Sequence, residues 1–124
     1  MVVQGTTASV YLTKKAFRYF ANDSKKWGDL VRGIYHEFMH IENAYGLYDK
    51  PRIITSQQDE IIAHYFTFTA VGLPGMTDRF KSFQIRATND YYRQLYKIDK
   101  NEALSVLTKL LYVNSQCPSE PKRK

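Results

Sequence analysis

Two clusters of chain breakers decide what this chain can fold into. Gly46 and Pro51 interrupt it after its first third, and Gly72, Pro74 and Gly75 interrupt it again past the middle. Around these breaks the apolar residues recur at helical spacing, and capping residues stand where helices should begin. Asn22, Asp23 and Ser24 form a turn and helix-start signal, so a long helix is predicted from there to Tyr45, with Gly46 as its C-cap. Residues 47–55 read as a loop. Ser56 with Asp59 three residues on resembles a capped start, and a second helix is predicted over 57–71. A third should follow over 77–97 and a fourth over 101–112. Ahead of them the segment 6–13, TTASVYLT, is rich in β-branched and aromatic residues and reads as one strand, while 14–20 is ambiguous. The expected fold is α+β, mostly α, with a short N-terminal β segment and about four helices.

The chain has 124 residues, 44% of them apolar and 24% charged, which fits one globular domain expected over 1–115 and a basic disordered tail over 116–124. No apolar run approaches the roughly 18 residues that a membrane span needs. Eighteen basic residues against 12 acidic give +6, but the excess is scattered or gathered in the tail at Lys122, Arg123 and Lys124. Scatter of that kind favours solubility without building a nucleic-acid surface, so nucleic acid is not an expected partner. The single Cys117 excludes an internal disulfide framework and a Cys-based zinc cage. Ten Tyr, seven Phe and one Trp point to a core built from aromatics. The start, MVVQGTTASVYLTKK, lacks the charged-then-apolar order of a secretory signal. The protein is therefore expected to be cytoplasmic or a delivered part of a larger chain.

Chemistry enters with His36-Glu37-Phe38-Met39-His40, the HExxH pattern, inside the first long predicted helix. Residues four apart on a helix share a face about one turn apart, so two imidazoles can reach one metal ion. Zinc accepts nitrogen ligands and keeps a position open at catalytic sites. A glutamate beside the first histidine can then take a proton from water at that position. On a helical wheel with His36 at zero, His40 falls at about 40° and Glu37 at about 100°. Trp27, Leu30, Val31, Ile34, Phe38, Ile41 and Tyr45 fall between about 120° and 220°, so the histidines face away from the stripe expected to pack into the core. The second predicted helix is apolar nearly all round and therefore central, and Glu60 and His64 share one of its faces. A buried carboxylate beside a buried imidazole needs a partner, and a metal held by the first helix supplies it. All three histidines of the chain, His36, His40 and His64, fall into this one site.

Here the sequence resembles the zincin metallopeptidases, and among them the gluzincins, in which HExxH is followed on a second helix by a glutamate ligand. Glu60-Ile61-Ile62-Ala63-His64 is similar to that family's ExxAD segment, with His64 where the family has aspartate. The resemblance covers residues 36–70. Asn43 and Gly46 occupy positions where the metzincin variant needs glycine and histidine. It implies a Zn2+-dependent peptidase acting on protein or peptide substrates, with His36, His40 and Glu60 as metal ligands and Glu37 as general base. His64 would orient a ligand from behind or replace Glu60. Only 35 residues precede His36, so the chain resembles a minimal zincin, like the small zincin domains found alone or at the ends of bacterial toxin-like proteins. An oxyanion donor would come from Tyr45, Tyr48, Tyr65, Tyr91 or Tyr92. A metal-binding or interaction domain on the same frame, without turnover, is the alternative. Ala103, Leu104, Val106, Leu107, Leu110 and Leu111 follow helical spacing and are expected to cover the back of the active-site helix. A monomer is expected, with that stripe as the surface through which a dimer would form.

Overall fold

The computed structural model describes residues 2–4, 7–9, 11–21, 23–45 and 55–118, with 2–4, 7–9 and 44–45 described by their backbone alone. Among the described residues the helical periodicity of the sequence is realised as six helices: α1 (Lys14–Ala21), α2 (Trp27–Tyr45), α3 (Ser56–Thr69), α4 (Asp78–Ile98), α5 (Lys100–Ser105) and α6 (Leu107–Ser115). A 3-10 turn, Ser24–Lys26, leads into α2, and Asp23 caps it by accepting the Lys25 N–H at 2.9 Å. Thr55 and Thr77 cap α3 and α4 in the same manner. The helix end at Gly46, the loop with Pro51 and the tail beyond Pro118 lie outside the described residues.

Among the described residues the fold is helical in all but one short strand pair, which corrects the expected α+β class. The described extended structure amounts to two three-residue strands, β1 (Val2–Gln4) and β2 (Thr7–Ser9), paired antiparallel with Val2 opposite Ser9. Two strands of that length offer no face on which helices can be layered, and the principal packing between elements is helix on helix. Of the predicted strand 6–13, residues 7–9 are extended in a pair, and 6 and 10 lie outside the described residues. Residues 11–13 are irregular, with Tyr11 and Leu12 exposed.

The apolar α3 is central. Its Ile61 and Ile62 pack with Leu95 of α4, Ala103 of α5 and Val106, while Phe68 packs with Ile85 of α4 and Val113 of α6. The C-terminal helices thus cover α3 and α4 rather than the back of α2. They are two helices, not the predicted one, because the chain turns at Val106 (φ −108°, ψ 7°), whose N–H bonds back to Ala103 O at 3.2 Å. Leu104 and Leu111 of the predicted stripe stay exposed. Among the described residues no helix is long and apolar enough to cross a membrane.

Helix α2 buries its polar face as well as part of the expected stripe. Its buried side chains are Asp29, Leu30, Arg32, His36, Met39 and His40, whereas Trp27 is 59% and Phe38 50% exposed. The polar face can go inward because its groups are satisfied there. Asp29 accepts from Thr77 N–H (2.8 Å) and Thr77 Oγ1 (2.7 Å). The Arg32 guanidinium donates to Thr67 O and Pro74 O, both at 2.7 Å, and to Leu73 O at 3.2 Å. A buried cation at the C-terminal end of α3 occupies carbonyls that the helix itself leaves unpaired. Gly28 allows the approach, since a Cβ there would stand 1.8 Å from Gly75 O. The loop between α3 and α4 turns at Gly72 with φ +81°. The outward apolar face of α2 lies against α1, leaving a cleft of about 310 Å³ between them.

Candidate metal centre

On α2, His36 and His40 stand one turn apart; on α3, Glu60, His64 and Thr67 follow at the same helical spacing. Packing the two helices face to face brings both sets together. His36 Nε2 and His40 Nε2 are 3.1 Å apart. Glu60 Oε2 lies 3.3 Å from His36 Nε2, and Glu60 Oε1 lies 3.3 Å from His40 Nε2. Both histidines are buried. The cluster of His36, His40 and Glu60 can hold a metal ion.

The far side of each ring decides which atom faces the cluster. His40 Nδ1–H donates to Asp59 Oδ2 at 2.8 Å, and Asn43 Nδ2 holds the other Asp59 oxygen at 2.6 Å. Thr67 Oγ1 donates to Ala63 O at 2.8 Å and so is left to accept from His36 Nδ1–H at 3.3 Å. With both Nδ1 atoms engaged from behind, the neutral rings carry their protons there and turn both Nε2 atoms toward the Glu60 carboxylate. With neutral rings the three groups are acceptors facing one another, an arrangement relieved by a metal ion or by a proton between them. Donors about 2.0–2.1 Å from a tetrahedral zinc stand about 3.3–3.4 Å apart, close to the spacing found here.

The charges follow the same logic. Burial pulls the His40 imidazolium down, but hydrogen bonds to Asp59 and Glu60 and their charges more than offset it, raising its pKa to about 10. Burial acts to raise Glu60, and the bonds and charges of His36 and His40 overcome it and hold the carboxyl well below its usual range. Without a metal, the cluster therefore takes up a proton in its place. His64 behaves differently: burial, then the charge of His36, lowers it to about 4. Its Nδ1 bonds Gln84 Oε1 on α4, and its Nε2 is 3.8 Å from Glu60 Oε2.

Glu37 lies outside the cluster. It is half-buried on the adjoining face of α2, on the wall of the apolar cleft with Tyr11, Leu12, Phe20, Gly33 and Phe38. Of the tyrosines considered as oxyanion donors, Tyr91 faces the site: its ring centroid is 6.2 Å from that of His64, and the charge of Glu60, with burial, raises its pKa. Tyr65 packs with Phe66 and Tyr112, and Tyr92 with the core of α3 and α4. Tyr48 and the side chain of Tyr45 are outside the described residues.

Three residues of the site were not read from the sequence. Asp59 had been assigned to capping, but Thr55 caps α3 and Asp59 holds His40. Its position beside Glu60 was the available signal. Thr67 repeats the helical phase of Glu60 and His64 and could have been found that way. Nothing local marks Gln84. No family model, curated protein or solved structure matches the chain.

Proposed function

We propose that the protein is a zinc-dependent peptidase in which His36, His40 and Glu60 hold the metal and Glu37 is the general base. The observation carrying this reading is the triangle of two Nε2 lone pairs and one carboxylate, with edges of 3.1 and 3.3 Å and each imidazole tethered from behind. Two imidazoles and one carboxylate form the protein donor set of many catalytic zinc sites. Zinc bound there supplies a Lewis acid that polarises a carbonyl and acidifies water. Asp59 and Thr67 keep the two ligand rings aligned. Glu37, next to His36, takes a proton from water and returns it to the leaving amine. The apolar cleft along Glu37 supports a peptide substrate, since it offers a side-chain site rather than a charged or sugar-binding one. The gluzincin-like segment 36–70 points to the same chemistry.

One observation favours a second reading, a zinc-binding domain without turnover: among the described residues Glu37 makes no hydrogen bond to the cluster. Glu37→Gln separates the two. Assayed on a quenched-fluorescent peptide library, it should keep its zinc and lose cleavage by at least about 100-fold. Wild-type protein that holds zinc but cleaves nothing in the library would favour the inactive domain. A variant as active as wild type would remove Glu37 from the mechanism.

A further inference from the structure

No residue of helix α1 is buried, although its sequence, KKAFRYFA, is rich in aromatics. Its two kinds of side chain are segregated. With Lys14 at zero on a helical wheel, Lys14, Arg18 and Lys15 span about 100°, while Ala16, Phe20, Phe17 and Ala21 fall between about 200° and 340°. The apolar arc is used only in part: Ala16 and Phe20 are half-buried, but Phe17 stays 57% exposed. The 3-10 turn that follows brings Lys25 and Lys26 to the same surface, where Lys26 Nζ lies 3.8 Å from the centroid of the Tyr19 ring. Phe17 and Trp27, both exposed, border an apolar recess of about 310 Å³ that Phe20 and Leu30 also line. Between residues 11 and 27 five basic side chains stand against one acidic one, Asp23, a charge of +4 in a chain of +6.

We propose that the face formed by α1, the 3-10 turn and Trp27 docks on the surface of an anionic lipid bilayer, with α1 lying in the interface plane. A basic arc beside an apolar arc is the pattern of a helix that rests on a membrane without spanning it. Phe17 and Trp27 enter the headgroup region, the place that amphipathic aromatic rings favour. Lys14, Lys15, Arg18, Lys25 and Lys26 meet the negative potential of the lipid phosphates. Charge alone suits any polyanion, but the exposed rings beside it suit a bilayer better than a strand of nucleic acid. One face of Tyr19 is already covered by Lys26 and is not offered to a base for stacking. None of these residues belongs to the metal cluster, so the docking surface stands whether or not that centre binds zinc.

Trp27 is the single tryptophan of the chain, so its fluorescence reports on this face alone. The test is a titration of the full chain with vesicles of phosphatidylcholine, either pure or mixed equally with phosphatidylglycerol. On the anionic vesicles the emission should shift to shorter wavelength, with binding at least about 10-fold tighter than on the neutral ones and weakened by salt. Lys14→Glu combined with Lys25→Glu replaces two exposed side chains, takes residues 11–27 to neutrality and should lose about 10-fold or more of that binding. Circular dichroism checks that the double variant is folded. No shift on anionic vesicles, or equal binding to both kinds, would overturn the proposal. So would a folded double variant that binds as wild type does, since another surface would then carry the binding. A shift with a single-stranded oligonucleotide and none with vesicles would replace the bilayer by nucleic acid.

Discussion

Helix α3 is held on two sides by opposite kinds of contact. Toward α4, α5 and α6 it presents Ile61, Ile62 and Phe68 to Leu95, Ala103, Val106, Ile85 and Val113, a contact made of apolar surface. Toward α2 it presents Glu60, Thr67 and the carbonyls of its last turn to His36, His40 and Arg32, a contact made of polar groups. The first side is stabilised by removing apolar surface from water, and this needs neither metal nor a given protonation state. The second depends on charges being neutralised, and the convergence of acceptors at Glu60 makes it sensitive to metal and protons. The comparison teaches that the fold's permanent core and its chemistry sit on opposite faces of one helix.

The largest effect should come from the apolar side. Ile61→Ala removes a fully buried side chain and should cost about 3–4 kcal/mol in urea unfolding, by the same amount with and without zinc. A cost that changed with zinc would show that the two faces are coupled and would break the comparison. Next, Asp59→Asn takes the acceptor charge from behind His40. It should weaken zinc about 10- to 100-fold in a competition titration while leaving the metal-free stability closer to wild type than Ile61→Ala does.

A pH dependence confined to the polar side should accompany these. In the metal-free protein His40 is raised to about 10, so its stabilisation is complete below about 6.5 and is lost as pH climbs through 10. His64 is lowered to about 4, so the unfolded chain binds its proton first and stability falls as pH drops from about 6.5 toward 4. Glu60, held below its usual range, removes more stability below about 4.5. Metal-free thermal unfolding should therefore be most resistant near pH 6–7. A curve flat from pH 5 to 9 would mean that the cluster does not carry these charges.

The cluster of His36, His40 and Glu60 was legible because its members are local. His36 and His40 are one turn apart on one helix, Glu60 and His64 one turn apart on another, and such spacings survive folding unchanged. What orients them was not legible, since Asp59 and Gln84 act on histidines 19 and 20 residues away through helix packing. The fold was misread where pattern and context diverge. The apolar stripe of α2 was assigned to the core by periodicity alone, but Asp29 and Arg32 find partners in the α3–α4 loop that let the polar face go inside. The run TTASVYLT has the composition of a strand, yet residues 11–13 are irregular, while 7–9 pair with residues 2–4, a partner that the sequence reading does not assign.

The most direct measurement is zinc per chain by elemental analysis, for wild type and His36→Ala purified without a metal-affinity tag. The account predicts close to one zinc in wild type and almost none in the variant, with both proteins folded by circular dichroism. Wild type that holds no zinc after loading and dialysis, or a variant that holds as much as wild type, would contradict it.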